Sequence, residues 1–166
     1  GSITPPYATT TSVTGQGTVS SSFCWYTSCS HGRTLPYLAS FIAQDDGCPQ
    51  SSTTTDNLKI FVLPMPKVPP PLLVCMDLDT SGIIRLNYAD TFSYKKYIDR
   101  YEVYRSASGS PFVLYDNIYN VNLNNYFDNN ALYNDTTNYC YFIRGVNKCG
   151  EAGLFSDTIC SLNQLT

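Results

Sequence analysis

Charge is scarce in this chain. Only 14% of its 166 residues are Asp, Glu, Lys or Arg, against about 25% in an ordinary globular domain. Ten Lys+Arg stand against thirteen Asp+Glu, a net charge of -3. There is thus no basic surplus with which to grip a nucleic-acid backbone. No apolar run approaches the ~18 residues of a membrane span. Strong helix formers are few: two Glu, two Met and five Lys. With one histidine, His31 in Ser30-His31-Gly32-Arg33, a Ser-His-Asp or Cys-His arrangement would have a single candidate base, and that one reads as a solvated turn. The Gly-x-Ser-x-Gly elbow is missing, and no phosphate loop appears. What fills the chain instead is 13 Asn, 17 Ser, 17 Thr, 14 Tyr, 10 Gly and 10 Pro. A hydrophobic content of 43% is too high, and the net charge too low, for a disordered chain. The composition reads as all-β and of extracellular type.

Seven cysteines, Cys24, Cys29, Cys48, Cys75, Cys140, Cys149 and Cys160, support that reading. A zinc site wants close cysteine pairs, and only Cys24 and Cys29 come near one. Disulfides, and with them an oxidising compartment, fit better, with one thiol left over. Gly1-Ser2 reads as a tag scar, and the chain as an excised piece of a longer secreted protein.

The run Leu63-Pro64-Met65-Pro66-Lys67-Val68-Pro69-Pro70-Pro71 is the clearest landmark. Consecutive prolines favour stiff polyproline II and donate no ladder hydrogen bonds, so residues 64–71 read as a spacer between domains 3–63 and 72–166. Beyond the spacer, seven short strands are predicted: 72–78, 83–88, 101–105, 112–115, a short one around Tyr126-Phe127, 139–144 and 155–160. Seven turn-bounded strands in roughly 95 residues suit a β-sandwich. Along Tyr101-Glu102-Val103-Tyr104-Arg105, alternation sends Tyr101, Val103 and Arg105 to one face and Glu102 and Tyr104 to the other. Before the spacer, 23–26, 37–43 and 58–62 read as strands, a meagre core for about 60 residues.

Tyr101-Glu102-Val103-Tyr104-Arg105, Tyr139-x-Tyr141-x-Ile143, Asn147-x-x-Gly150 and Ser156 resemble a fibronectin type III domain. The resemblance places Tyr139 at the tyrosine corner, and Tyr88 where the family usually has a core Trp. Phe41-x-Ala43-x-Asp45-Asp46-Gly47-Cys48-Pro49, followed by Leu58-x-Ile60-x-Val62, resembles the C-terminal half of cadherin-like and immunoglobulin-like repeats. The fold expected is therefore a type III-like sandwich preceded by a partial immunoglobulin/cadherin-like domain. The combination is similar to large secreted surface proteins of Bacteroidota, exported by the type IX system and including gliding-associated adhesins. That implies a secreted or cell-surface location, neighbouring domains of the same polypeptide as partners, and surface polysaccharide or other adhesion and secretion proteins as further ones.

Strand order suggests three bridges. A hairpin centred near Gly150 sets Cys140 opposite Cys160. The type III pole brings Cys75 to Cys149, with Cys75–Cys160 as the rival. Cys29–Cys48 would tie one strand end to the loop after the next, leaving Cys24. No cofactor is expected, except that the cadherin resemblance implies a Ca²⁺ role for Asp45; the alternative is a turn aspartate. Asp77-x-Asp79-x-Ser81-Gly82 starts like an EF-hand loop but lacks its helix and its final Glu. Thr136 and Thr158, in Asp-Thr-Thr and Asp-Thr-Ile, resemble the O-glycosylation motif of Bacteroidota, and Asn134-Asp135-Thr136 is an N-linked sequon in a eukaryotic context. Tyr94 and Tyr97, in Tyr94-Lys95-Lys96-Tyr97, form the candidate contact patch. The expected role is non-catalytic: a stalk or spacer in an adhesin or gliding-related protein. The alternatives are a recognition module working through exposed tyrosines and an accessory domain of a secreted hydrolase.

Overall fold

The computed structural model describes residues 8–78, 81–90, 95–132 and 137–161. The chain divides into two compact units, Gly1–Pro64 and Met65–Thr166, and every described element is β-structure or a short 3-10 turn.

In the first unit β1 (Ala8–Thr10) pairs antiparallel with β2 (Phe23–Trp25), and β3 (Tyr37–Gln44) with β4 (Thr53–Ile60). The two ribbons touch through rings: Phe23 lies edge-on to Phe41 at 5.9 Å and Trp25 edge-on to Tyr37 at 4.7 Å. β1 lies in a Thr-rich tract that carries no apolar alternation, and β4 starts five residues before the predicted strand. Its Thr53-Thr54-Thr55 run joins the ladder by β-branching alone. No described residue of this unit is fully buried.

The second unit is a sandwich. One sheet runs β5 (Leu72–Leu78), β6 (Ile83–Ala89), β9 (Asn125–Leu132). The other runs β8 (Val113–Ile118), β7 (Ile98–Ala107), β10 (Tyr139–Asn147), β11 (Ala152–Phe155), with β12 (Ile159–Cys160) also on β10. The inward faces follow the period of two. Ile84, Leu86 and Tyr88 come from β6, Tyr101 and Val103 from β7, and Tyr141 and Ile143 from β10; Ile118 and Ala131 complete the packing. Tyr88 fills the Trp position as a buried phenol edge-on to Tyr101 at 5.5 Å, and burial, followed by the charge of Asp90, pushes its hydroxyl up to about 12. Tyr139 is half-buried against the core.

Two features depart from the sequence reading. The predicted strand 155–160 is broken into β11 and β12. Between them Ser156 donates its N–H to the Ile143 carbonyl at 2.8 Å, and its hydroxyl accepts the Ile143 N–H at 2.9 Å. The side chain thus does the job of a ladder carbonyl while the backbone turns aside. Residues 65–71, read as a spacer, belong to the second unit. Val68 is 1% exposed and part of the core, and the Pro66 carbonyl accepts the Asn147 Nδ2–H at 3.1 Å. Val68 packs so closely over Gly145 and Gly153 that a Cβ at either would collide with it, which is why those strand positions are glycine.

Candidate functional site

The sheet β8-β7-β10-β11 turns its alternate residues outward, and its register lays them in rows. Phe155, Arg144, Glu102 and Asn117 stand side by side across four strands, and Phe142, Tyr104 and Leu114 form the next row. Glu102 is 5% exposed although it lies on the outer face, because two arginines cover it. Arg144 Nε donates to Oε2 and Arg100 Nη2 to Oε1, both at 2.8 Å, and the Tyr104 hydroxyl reaches Oε2 at 3.2 Å. Burial works to raise the Glu102 carboxyl, but the hydrogen bonds from Arg144 and Arg100 outweigh it and hold the group below the ordinary carboxylate range. Arg144 also lies over the Phe155 ring at 4.8 Å. Tyr104 stacks on Phe142 at 5.0 Å, Phe155 meets Phe142 edge-on at 4.6 Å, and Phe112 tilts over Phe142 at 4.5 Å. The result is an aromatic surface around an ion-pair cluster, with Phe112, Leu114 and Phe155 exposed at its margin.

The inward arginine of β7 has a different task. Arg105 Nη1 binds Asp128 of β9 at 2.8 Å, the Tyr141 hydroxyl donates to the same Oδ2 at 2.9 Å, and Oδ1 accepts the Asn130 N–H. Asp128 is wholly buried. The guanidinium also lies 3.6 Å from the Tyr115 ring centre. Burial, reinforced by the Asp128 charge and hydrogen bond, pushes the Tyr141 hydroxyl well above its ordinary range. This network bolts one sheet to the other.

The remaining candidates separate. Tyr94 and Thr136 lie outside the described residues. Tyr97 ends the 3-10 turn Lys95–Tyr97, half-buried, with its carbonyl accepting the Lys148 N–H at 2.9 Å and the Lys96 ammonium 4.9 Å from its ring. Thr158 is exposed between β11 and β12. Asp45 Oδ1 accepts the backbone N–H of Ser52 at 2.7 Å and of Gly47 at 3.2 Å. Those two bonds hold its carboxyl below the usual range, and the side chain closes the β3–β4 loop. No group of three or more metal-ligating side chains occurs among the described residues. Asp77 is taken by Arg85, at 2.7 Å and 2.8 Å.

Cys140 and Cys160 sit directly opposite in the β10–β12 ladder and are bonded, S–S 2.06 Å. Cys29 and Cys149 are also in disulfides. Cys24, Cys48 and Cys75 are free and exposed, so the expected Cys29–Cys48 and Cys75–Cys149 pairings do not form. Cys29 lies at the Tyr37/Ile60 end of the β3–β4 hairpin, where the following Arg33 donates to the Val62 carbonyl. Cys48 lies in the loop at the other end, an eight-residue strand away, roughly 25 Å. Cys75 is not at the pole of the sandwich but within β5 opposite Asn87, whose Nδ2 donates to its sulfur at 3.4 Å.

No protein-family model and no curated protein matches the chain. Among solved structures, domains A168–A170 of titin superpose with a TM-score of 0.51 at 14% identity, covering 86% of this chain and 57% of that one. The fold is that of fibronectin type III and immunoglobulin-like modules. The sixth type III domain of human fibronectin type III domain containing protein 3 aligns at 14% identity over 59% of this chain and 84% of that one, TM-score 0.43. Pectate lyase PelI of Erwinia chrysanthemi aligns at 18% identity and TM-score 0.44 over 55% of this chain. The chain spans only 28% of the length of that lyase. Modules of this fold are ordinarily parts of longer polypeptides, and the Cys140–Cys160 bridge fits an oxidising location. Among the described residues, no helix is long and apolar enough to cross a membrane.

Alternation exposed the outward pair Glu102 and Tyr104 in the sequence, but Phe142, Arg144, Phe112 and Phe155 were missed. Phe142 and Arg144 were within reach, since they alternate with Tyr141 and Ile143 in one strand. Phe155 depends on the β10–β11 register, which no local pattern reveals.

Proposed function

We propose that this chain is a non-catalytic spacer segment of a secreted multidomain protein, a stretch of stalk in a cell-surface adhesin or gliding-related protein. The observation that carries this reading is how the second unit uses its interior charge. Arg105, Asp128 and the Tyr141 hydroxyl are tied to one another across the two sheets, an arrangement that resists shear and leaves none of the three poised for chemistry. The finer assignment to Bacteroidota surface proteins of the type IX route rests on the sequence resemblance of the whole combination, from Trp25-x-x-x-Cys29 through the Phe41–Pro49 run and the prolines to the Cys-bearing type III-like domain. Replacing residues 8–161 in the full-length protein by an unrelated immunoglobulin–type III pair should leave surface function intact. Loss of function on that exchange would refute the spacer role.

A second reading, recognition of a polysaccharide or a protein partner, is favoured by the exposed Phe112, Leu114 and Phe155 at the margin of the outer face. It predicts that the exchange abolishes function and that Phe155→Ser alone reproduces the loss. A folded, fully functional Phe155→Ser protein would remove it.

A further inference from the structure

The first unit has no fully buried side chain among its described residues, yet it carries a tight knot of Trp25, Ser28, His31, Arg33 and Tyr37. Its centre is the 3-10 turn Cys29–His31. His31 Nδ1 accepts the Ser28 backbone N–H at 2.7 Å and lies 3.0 Å from the Ser28 hydroxyl. The imidazole thus takes the place of the Glu or Gln of a capping box, reaching back to the N–H that precedes the turn. The Trp25 ring packs edge-on to the imidazole at 5.1 Å, and the Tyr37 hydroxyl donates to the His31 carbonyl at 3.0 Å.

We propose that His31 is a proton-operated latch on the turn that carries the disulfide-bonded Cys29. The 2.7 Å bond needs a lone pair on Nδ1, which only the neutral ring with its proton on Nε2 offers; the imidazolium has N–H on both nitrogens. Protonation therefore points a donor at a donor. The Ser28 hydroxyl can rotate to accept, but the backbone N–H cannot, so the amide loses its partner and the turn opens.

The surroundings push the same way. The Arg33 guanidinium stacks over Tyr37 at 3.4 Å and spends Nε and Nη2 on the Leu35 and Pro36 carbonyls. Among the described residues no carboxylate pairs with Arg33 or His31. β2 brings Trp25 to the ring and β3 brings Tyr37 to the His31 carbonyl, so a proton on His31 adds a second cation to a knot without a counter-ion. In a unit with no buried core, one capping bond is a large share of what holds the local fold.

Trp25 is the sole tryptophan, so its emission reports on the knot. On acidification from about pH 8 to about pH 5, the range a histidine switch is tested over, wild-type emission should change. Over the same interval Ser28 amide exchange, corrected for intrinsic rates, should accelerate about tenfold, the effect of one lost hydrogen bond. His31→Gln keeps an acceptor but cannot titrate, and should show neither change. An unaltered Ser28 amide in the wild type would overturn the proposal, since emission alone can be quenched by an imidazolium in a closed turn. Equal responses in His31→Gln would overturn it as well.

Discussion

The two units are made from the same strand geometry and are stabilised in opposite ways. The second closes two sheets over an interior of Ile84, Leu86, Tyr101, Val103, Tyr141 and Ile143, then adds the inward ion pair and a cross-strand disulfide. The first lays two ribbons against each other through Phe23, Phe41, Trp25 and Tyr37, and buries no described residue fully. Burial contributes about 25 cal/mol per Å² of apolar surface, so the second unit draws mainly on the hydrophobic effect. The first depends on turns, ring contacts and hydrogen bonds to loop carbonyls. Interior packing tolerates a surface change; a turn-held ribbon does not tolerate loss of the turn.

The comparison can be broken most forcefully at Asp128. Asp128→Ala leaves Arg105 inside the sandwich without its carboxylate and the Tyr141 hydroxyl without its acceptor. The expected loss is about 3–5 kcal/mol, seen in urea unfolding followed by near-ultraviolet tyrosine dichroism. Trp25 emission, which reads the first unit, should keep its midpoint; an equal movement of both signals would mean that the units do not differ as described. Next in size is the Cys140–Cys160 bridge, with 20 residues of sequence separation. The double Cys140→Ser, Cys160→Ser variant should lose about 2–3 kcal/mol, measured as a lower thermal midpoint of the tyrosine signal.

Acid provides a subtler probe. The Glu102 carboxyl is lowered in the folded state, so the stability it contributes is complete above the ordinary carboxylate range. That contribution is lost as pH falls through the lowered value. Glu102→Gln should flatten the acid limb of the stability profile, and an unchanged limb would show that Arg144 and Arg100 do not depend on this charge. Asp45→Asn should have the smallest effect: faster amide exchange at Gly47 and Ser52, with no measurable shift of either unfolding midpoint.

Much of the sandwich was legible because its signals are local. Ile83 to Tyr88 and Tyr101 to Arg105 alternate cleanly, and the symmetry of Cys140 and Cys160 about Gly150 matches the observed β10–β12 register. Apart from Phe142 and Arg144, which local alternation reaches, the failures share one cause, dependence on residues far away in the chain. Asp128 sits in an Asp-Asn-Asn stretch that resembles a turn, and its partner Arg105 is 23 residues distant. The thiol state of Cys48 and Cys75 follows from which end and which face of a ribbon each occupies, and spacing between cysteines does not encode that. β1 escaped notice because Thr9-Thr10-Thr11-Ser12, three threonines and a serine in succession, look like a tail until a partner strand is present.

Val68 alters where the second unit begins. The first strand starts at Leu72, and a fragment cut there by the usual reading of a strand boundary would leave Gly145 and Gly153 facing an empty slot and Asn147 without the Pro66 carbonyl. Two glycines without side chains cannot fill that space themselves. Anyone transplanting this sandwich into another protein should therefore carry the prolines along, starting no later than Met65.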